Sequence, residues 1–526
     1  MKPLSTLIVA SIAATLLQIA ALAQSSFNWN IGNGVWDTSS LNWSSNGVSV
    51  AWAPGNNAFF DNTSAATTIS VGGAQTAAAV SVGNGGNNAD YTFTTNGTSG
   101  GSLTASSFIV QGSAGNNGPG GPTILTNLPL TITGNLGVGR WGLVIGGTST
   151  VNVGGQIGGN IAGVSSADWG LLTIQNSAVV TATGGVNGNT EAWAMTLNGG
   201  TLITPSIQTS DREASGTARL TFNGGTVMAT QDNPNFVTVG ANFQNTDSAL
   251  VGDGGAIINT AGYNIGIPVN LASAGGTDGG LTKNGAGTLT LGGNNTYTGL
   301  TIVSNGTLQV DGAIGAGAVA VQSGGALSGA GTINGPVTVN AGGTLEAGDP
   351  SGPGALAIEN SLTLNTGSAT TLRLNESATT NDSVVGISTL TYGGTLTVTS
   401  LGGTLVAGDS FQLFNATTYS GNFGATRLPA LTSSLAWNWS PTTGSLAVAA
   451  KPAITSFNTL ANGSFSLGFA GGSGATYTIV TSTNAAMPLS NWTVLANATN
   501  NGSGFFQFTD TTATNRGWSF YETRSP

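Results

Sequence analysis

The amino-acid sequence predicts an all-β fold, in which a parallel β-helix is followed by a small antiparallel β-sandwich-like domain. Three observations lead to this prediction. Only 6% of the 526 residues are charged, against roughly a quarter in ordinary globular proteins. Glycine accounts for 84 residues. From about position 70 to position 448, short stretches of alternating apolar and polar residues are separated by turns of glycine or asparagine.

The spacing of these stretches indicates a solenoid. The segments Gly306-Thr307-Leu308, Gly325-Ala326-Leu327 and Gly343-Thr344-Leu345 recur at nearly constant intervals. Such an interval holds three short strands with their turns, which make one coil, and coils stack at the strand spacing of about 4.8 Å. Alternation then places apolar side chains inside and Thr, Ser and Asn outside. A string of β-sandwiches is the rival fold, but the sequence lacks the short, regular hairpin rhythm that such a fold requires.

Residues 1–24 have the pattern of a secretory signal peptide. Lys2 precedes an apolar run from Leu4 to Leu22, and Ala21-Leu22-Ala23 forms an A-x-A cleavage site. An uncleaved membrane anchor is the alternative, since about 19 residues just suffice to span a bilayer. Because no other stretch approaches that length, the sequence predicts no transmembrane segment in the mature chain. We expect an exported protein, extracellular or associated with the cell surface.

Residues 25–69 are rich in tryptophan and are predicted to form an N-terminal cap with the first strands. Two interpretations are open for these indoles. They cover the first coil, whose apolar interior would otherwise be exposed, or they form an exposed row that contacts carbohydrate by stacking. The side chains concerned are Trp29, Trp36, Trp43 and Trp52.

The β-helix is predicted to extend over residues 70–450, with its clearest repeats at 280–310 and 306–348. Lys451-Pro452 then indicates a linker, because proline cannot donate a hydrogen bond to a continuing ladder. Residues 451–526 change to longer, aromatic-rich alternating strands, which predict the β-sandwich-like module. Ser464 to Phe469 and Thr476 to Val480 are examples.

Residues 280–310 resemble a known bacterial repeat. The segment contains Leu281-Thr282-Lys283, Gly285 to Leu291, Asn295-Thr296-Tyr297-Thr298-Gly299 and Gly306-Thr307-Leu308 in order and nearly without gaps. It is similar to the autotransporter-associated β-strand repeat of extracellular passenger domains, and this resemblance implies a right-handed β-helix. Residues 451–526 do not show the amphipathic membrane strands of an autotransporter barrel. The resemblance therefore implies passenger architecture without self-translocation.

Composition excludes several kinds of chemistry. The chain contains no cysteine and no histidine, so thiolate catalysis, Ser-His-Asp mechanisms and the common zinc hydrolases are excluded. The formal charge of −10 comes from 20 acidic and 10 basic residues scattered along the chain. Without a basic stripe to neutralise phosphates, nucleic acid is not expected as a partner.

Two local groups of carboxylates are the candidates for acid-base catalysis. Asp211 and Glu213 would share one face of a strand, as a glycosidase pair requires, but a solvated loop is the preferred interpretation. Glu346 with Asp349 follows a Gly-Thr-Leu strand and is interpreted as structural. For calcium, Asp253 and Asp278 lie in glycine-rich turns, but no nonapeptide repeat accompanies them. The sequence thus predicts no catalytic, cofactor or metal site.

Three functions are compatible with these observations. The favoured hypothesis is a non-catalytic structural or adhesin-like surface protein, whose partners would be glycans or other cell-surface components. A polysaccharide lyase or glycosidase on a β-helix is the alternative, although such enzymes concentrate carboxylates and bases in one groove. A carbohydrate-binding protein that uses the tryptophan-rich end is the third hypothesis.

Overall fold

A computed structural model describes residues 24–60, 66–83, 90–95, 100–111, 121–159, 161, 164, 169–190, 192–211, 218–240, 248–348, 352–377, 380–470, 476–499, 505–513 and 519–524. The predicted signal peptide therefore lies outside the described residues, apart from Gln24. The chain divides into two compact units, Met1–Ala320 and Val321–Pro526.

The first unit consists of short strands whose inward residues are apolar, joined by turns. The strands are Ser26–Trp29, Gly34–Trp36, Trp43–Ser45, Val48–Val50, Asn57–Phe60, Thr67–Val71, Ala74–Val82, Tyr91–Thr95, Ser102–Val110, Thr123–Thr126, Pro129–Ile132, Leu136–Val138, Leu143–Gly146, Thr150–Val153, Ile157–Gly158, Trp169–Ala182, Val186–Thr190, Ala192–Thr204, Ile207–Asp211, Arg219–Phe222, Thr226–Ala229, Val237–Gly240, Ser248–Val251, Ala256–Asn259, Ile265–Ile267, Leu271–Ser273, Leu281–Asn284, Thr288–Leu291, Thr301–Val303, Gly306–Val310, Ala313–Ile314 and Val319–Val321.

Parallel pairing between successive coils confirms the predicted solenoid. Ala256 pairs with Leu281, and Leu281 pairs with Thr301, so each pairing step advances the chain by one coil. On another face of the same coils, Leu289 pairs with Leu308. Both leucines are completely buried. The apolar core therefore runs along the inside of the coils, and each coil covers its neighbour.

The parallel ladder begins earlier than the predicted position 70. Strand Ser26–Trp29 pairs in parallel with Asn57–Phe60, and Gly34–Trp36 pairs in parallel with Thr67–Val71. Strand Trp43–Ser45 is instead antiparallel to both of its partners in this region. The tryptophan-rich segment is thus part of the first coils as well as their cover.

The second unit continues the pattern of short strands and then changes to antiparallel pairing. Its strands are Gly325–Ser328, Thr332–Ile333, Val337–Val339, Thr344–Glu346, Ala355–Ile358, Leu362–Leu364, Ala369–Asn375, Thr380–Asn381, Ser383–Tyr392, Thr395–Ser400, Ser410–Gln412, Phe414–Gly421, Ala425–Arg427, Leu435–Ser440, Ser445–Ala450, Ala453–Thr459, Phe465–Ala470, Thr476–Ser482, Thr493–Thr499, Phe505–Asp510 and Phe520–Arg524. A 3-10 helix spans Leu489–Asn491.

The parallel ladder of this unit ends before the predicted position 450. Thr344 pairs with Ala369, Ala369 with Thr395, and Thr395 with Ala425, all in parallel. Residues 435–450 instead form a hairpin, in which Leu435–Ser440 and Ser445–Ala450 are antiparallel. The intervening residues 441–444 are too few for a coil, and Gly444 supplies the positive φ of 69° that the tight turn needs.

Two three-stranded antiparallel sheets follow between Ala453 and Arg524. Leu467 and Phe469 of one sheet form a buried cluster with Ile479 of the other, and partly buried aromatic rings pack against this cluster. An antiparallel C-terminal module of the sandwich-like kind is therefore present, as the aromatic alternation predicted. The all-β fold class is confirmed.

Among the described residues, no helix has the length and apolar character needed to cross a membrane.

Candidate functional site

The four candidate tryptophans lie in the core of the first coils. Their side chains are 6%, 0%, 0% and 2% exposed for Trp29, Trp36, Trp43 and Trp52. The ring centroids of Trp36, Trp43 and Trp52 are 4.8 to 5.2 Å apart, a normal separation for packed aromatic pairs. Stacking on a sugar ring needs an exposed face of the indole. This placement therefore favours the covering role over the carbohydrate contact.

Of the four carboxylate candidates, the structure describes only Asp211 and Glu346. Asp211 ends the strand Ile207–Asp211, and Glu213 and Asp349 lie outside the described residues. Glu346 ends the strand Thr344–Glu346 and is exposed. Among the described residues, no group of three or more Asp, Glu, His or Cys side chains could hold a metal ion.

The polar residues of the repeat at 281–310 form a buried network instead, and Lys283 is its centre. The side chain is completely buried. Its ammonium group shares three N–H donors among four acceptors, which are Thr260 Oγ1 at 3.1 Å, Asn284 O at 3.0 Å, Gly285 O at 2.7 Å and Asn305 O at 2.9 Å. Burial lowers the pKa of Lys283 to about 8. These acceptors belong to three successive coils, so one amine holds their register.

Asn295 makes a similar connection with its side-chain amide. Its Oδ1 accepts from the amide of Leu271 at 3.0 Å, and its Nδ2 donates to Gly293 O at 3.0 Å and Ala313 O at 2.8 Å. The residue is 1% exposed. Both donors of the amide nitrogen are used, and its oxygen accepts as well. Asn295 therefore holds a turn in place against the neighbouring coils, as Lys283 holds a strand in place.

Asp278, considered above for calcium, is occupied by hydrogen-bond donors. Its carboxylate accepts from the amides of Gly280, Thr298 and Gly299 at 2.7 to 3.0 Å and from Thr298 Oγ1 at 2.9 Å. Although burial alone acts to raise it, these donors hold the pKa of Asp278 below its usual value. The side chain is 9% exposed. Asp278 thus joins the turns of two successive coils, and the arrangement is structural.

We expect Asp278 to make stability depend on acid pH. Because its pKa is lower in the folded than in the unfolded chain, its contribution is present above about pH 4 and is lost as the pH falls through the folded pKa. The free energy of unfolding, measured by denaturant titration between about pH 2 and 6, should therefore fall more steeply in the wild type than in Asp278→Asn. Asp253→Asn, at an exposed carboxylate of the same unit, is the matched control. Identical pH dependence in the wild type and Asp278→Asn would contradict this role.

Sequence reasoning did not identify Lys283 or Asn295 as important. The signal for Lys283 was present, because the alternation places Leu281 inward, Thr282 outward and Lys283 inward, as the burial confirms. A lysine at an inward position has to be satisfied by internal acceptors. Asn295 carried no comparable signal, since it lies in a turn where asparagine is common.

A column of exposed polar side chains follows one outward face of the first unit. Parallel pairing aligns each member with the next, from Thr76 to Thr104, Thr131, Asn152 and Thr181. The first four are exposed and Thr181 is half-buried. Since stacked strands lie about 4.8 Å apart, these residues, which we call the polar column, present hydroxyl and amide groups at a regular spacing.

Comparison with known proteins identifies a repeat in the same part of the chain as the buried network. Residues 281–310 match the Passenger-associated-transport-repeat family. Over 215 residues, which are 36% of this chain and 6% of the relative, the sequence is 33% identical to the "Adhesin BmaC autotransporter" of Brucella suis biovar 1 (strain 1330). Over 55 residues, 10% of this chain and 5% of the relative, it is 54% identical to an "Extracellular serine protease" of Serratia marcescens. The matched regions thus cover only about a twentieth of these two relatives.

The family match falls on strands that form stacked coils of the solenoid. The matched repeat coincides with the strands Leu281–Asn284, Thr288–Leu291, Thr301–Val303 and Gly306–Val310 and with the buried network that joins them. The names of both relatives describe extracellular or autotransported proteins. The chain therefore carries a passenger-associated repeat at residues 281–310, and this repeat is built into a parallel β-solenoid.

Proposed function

We propose that this protein is a non-catalytic, adhesin-like surface protein that contacts glycans through its polar column. The observation that carries the proposal is the alignment of five uncharged polar side chains, Thr76, Thr104, Thr131, Asn152 and Thr181, on successive rungs of one face. A hydroxyl donates and accepts hydrogen bonds, and so does an amide. The column therefore complements a polymer that also carries hydroxyl groups at regular intervals.

The energetics favour many weak contacts over one strong site. A single solvent-exposed hydrogen bond contributes only about 0.5 to 1.5 kcal/mol net. Contacts linked on a rigid face gain effective concentration, so their combined affinity exceeds that of any one contact. Because the column is uncharged, binding should depend little on salt, unlike binding between charged surfaces.

The similarity to a protease does not transfer a catalytic mechanism. A Ser-His-Asp triad needs histidine as its general base, and this chain contains none. The carboxylates of Asp278 and Asp382 each accept several hydrogen bonds from the chain's own backbone and side chains. These internal hydrogen bonds support a structural role for both carboxylates.

Three substitutions on the polar column test the proposal. We expect the triple variant Thr76→Glu, Thr104→Glu, Thr131→Glu to bind immobilised neutral polysaccharides at least about tenfold more weakly than the wild type, because adjacent carboxylates repel each other and keep their water. Exposed substitutions rarely change stability by more than about 0.5 kcal/mol each. Binding is measured by biolayer interferometry on a panel of polysaccharides, with thermal unfolding of each variant.

A matched control lies on another ladder of the same unit. Thr173, Thr196 and Thr221 also occupy consecutive rungs and are half-buried, and their replacement by glutamate should leave binding unchanged. Equal loss in both triple variants, or no binding to any polysaccharide by the wild type, would refute the proposal. Release of sugar fragments that disappears in Asp211→Asn or Glu213→Gln would favour the glycosidase alternative.

A further inference from the structure

A cavity of about 190 Å³ lies in the second unit, beside the end of the strand Ala369–Asn375. Its wall combines polar and apolar side chains. They include Glu376, Ser400, Thr404, Leu405, Leu431 and Thr432. A carboxylate and three hydroxyls therefore share one small space with two leucines.

Glu376 is the unusual member of this wall. Its side chain is 8% exposed, and the carboxylate oxygen Oε2 is buried without a hydrogen-bond partner among the described residues. A buried carboxylate oxygen without a donor is unfavourable unless a bound group satisfies it. Arg373 is near Glu376 in sequence, but its guanidinium is paired with Asp382 at 2.7 and 3.1 Å. Arg373 therefore does not form an ion pair with Glu376 among the described contacts.

The backbone keeps a second chain segment close to this carboxylate. Gly403 has a φ of +127°, and a Cβ placed there would lie 2.7 Å from Glu376 Cβ and 2.7 Å from Ser377 N. Any other residue would push the turn and Glu376 apart. The close approach that only glycine permits is what forms this part of the cavity wall.

We infer that this cavity binds the primary ammonium group of an amino sugar, with Glu376 as its counter-ion. The unpartnered carboxylate favours a cation and disfavours an anion. An ammonium group has three donors, and the carboxylate and neighbouring hydroxyls supply acceptors for them. The volume exceeds the space that a bare metal ion needs, and the leucines suit the apolar face of a sugar ring better than a hydrated ion.

This site is independent of the polar column, which belongs to the first unit. A failure to bind amino sugars would not contradict the proposed adhesive function. Loss of polysaccharide binding in the column variants would not contradict the amino-sugar site. The two experiments therefore distinguish the two proposals.

Isothermal titration of residues 25–526 with glucosamine at pH 6, where the amine is protonated, tests the inference. Glucose is the matched probe, because it replaces the ammonium group with a hydroxyl. We expect glucosamine to bind at least tenfold more tightly than glucose. Glu376→Gln, which keeps the side-chain volume, should weaken glucosamine binding at least tenfold, and Thr432→Val should weaken it to a smaller extent. Glu359→Gln removes an exposed carboxylate of the same unit and should have no effect.

Several results would overturn the inference. These are absence of glucosamine binding by the wild type, equal affinity for glucose, or equal affinity in Glu376→Gln. Binding of calcium chloride that depends on Glu376, without binding of glucosamine, would show a metal site instead. If circular dichroism shows that Glu376→Gln is misfolded, Thr432→Val at an exposed loop position decides alone, and unchanged glucosamine affinity in that variant refutes the site.

Discussion

Replacement of Leu308 by alanine is expected to lower the free energy of unfolding by about 2 to 5 kcal/mol. Leu308 is completely buried and pairs with the equally buried Leu289 of the preceding coil. In a solenoid each coil depends on its neighbours for burial, so a cavity at this position removes contacts from adjacent coils as well. Denaturant titration followed by circular dichroism gives the free energy of unfolding.

The control for this prediction lies on the neighbouring strand. Thr290 occupies an outward, half-buried position next to Leu289, and Thr290→Ala should change stability by less than about 0.5 kcal/mol, as other surface substitutions do. If the two variants lose the same amount, the inward and outward positions of these strands are assigned wrongly. Repeat proteins do not always unfold in one step, so the comparison uses the transition of the same segment in both variants.

Lys283→Met is expected to lower the free energy of unfolding by about 3 kcal/mol near neutral pH, because buried acceptors are left without their donor at about 1 to 3 kcal/mol each. Methionine keeps the shape of the side chain and removes the ammonium group. The variant also relieves the cost of burying a charge, which the lowered pKa of Lys283 reflects. We expect the loss to exceed this relief, since four oxygens in three coils depend on one amine.

The pH dependence of the free energy of unfolding separates the loss of hydrogen-bond donors from the relief of charge burial. The pKa of Lys283 is about 8 in the folded protein and about 10.4 in an unfolded chain. Between these values the unfolded chain binds more protons, so the stability of the wild type should rise with pH in this window. Lys283→Met should lack this rise. Lys451→Met, at an exposed position, serves as control. A Lys283→Met variant as stable as the wild type would show that the amine does not hold the coils in register.

The pattern of residues predicted much of the fold because it acts locally. Alternation in Leu281-Thr282-Lys283 and Thr288 to Leu291 determined which side chains face inward, and the burial of these residues agrees. Spacing of equivalent segments predicted the stacking of coils. The positions where the ladder begins and ends were less well predicted, since a hairpin such as residues 435–450 has the same alternation as two strands of a coil.

The candidate sites were harder to predict from the sequence. The tryptophan row has the same sequence whether it is exposed or buried, and only packing of Trp36, Trp43 and Trp52 against one another shows the difference. The Glu376 cavity is formed by residues that lie far apart in the chain, from position 376 to position 432. No local pattern marks such a site.

The sequence alone determined the all-β class, the repeat and the absence of histidine and cysteine chemistry, because composition and the inward-outward alternation of strands are properties of neighbouring residues. The tertiary structure decided which polar groups are buried and what satisfies them. Coil stacking brings Thr260, Lys283 and Asn305 together from three successive turns, and it aligns the polar column on one face. The partners of a buried charge depend on contacts between coils, and these contacts join residues that are distant in the chain.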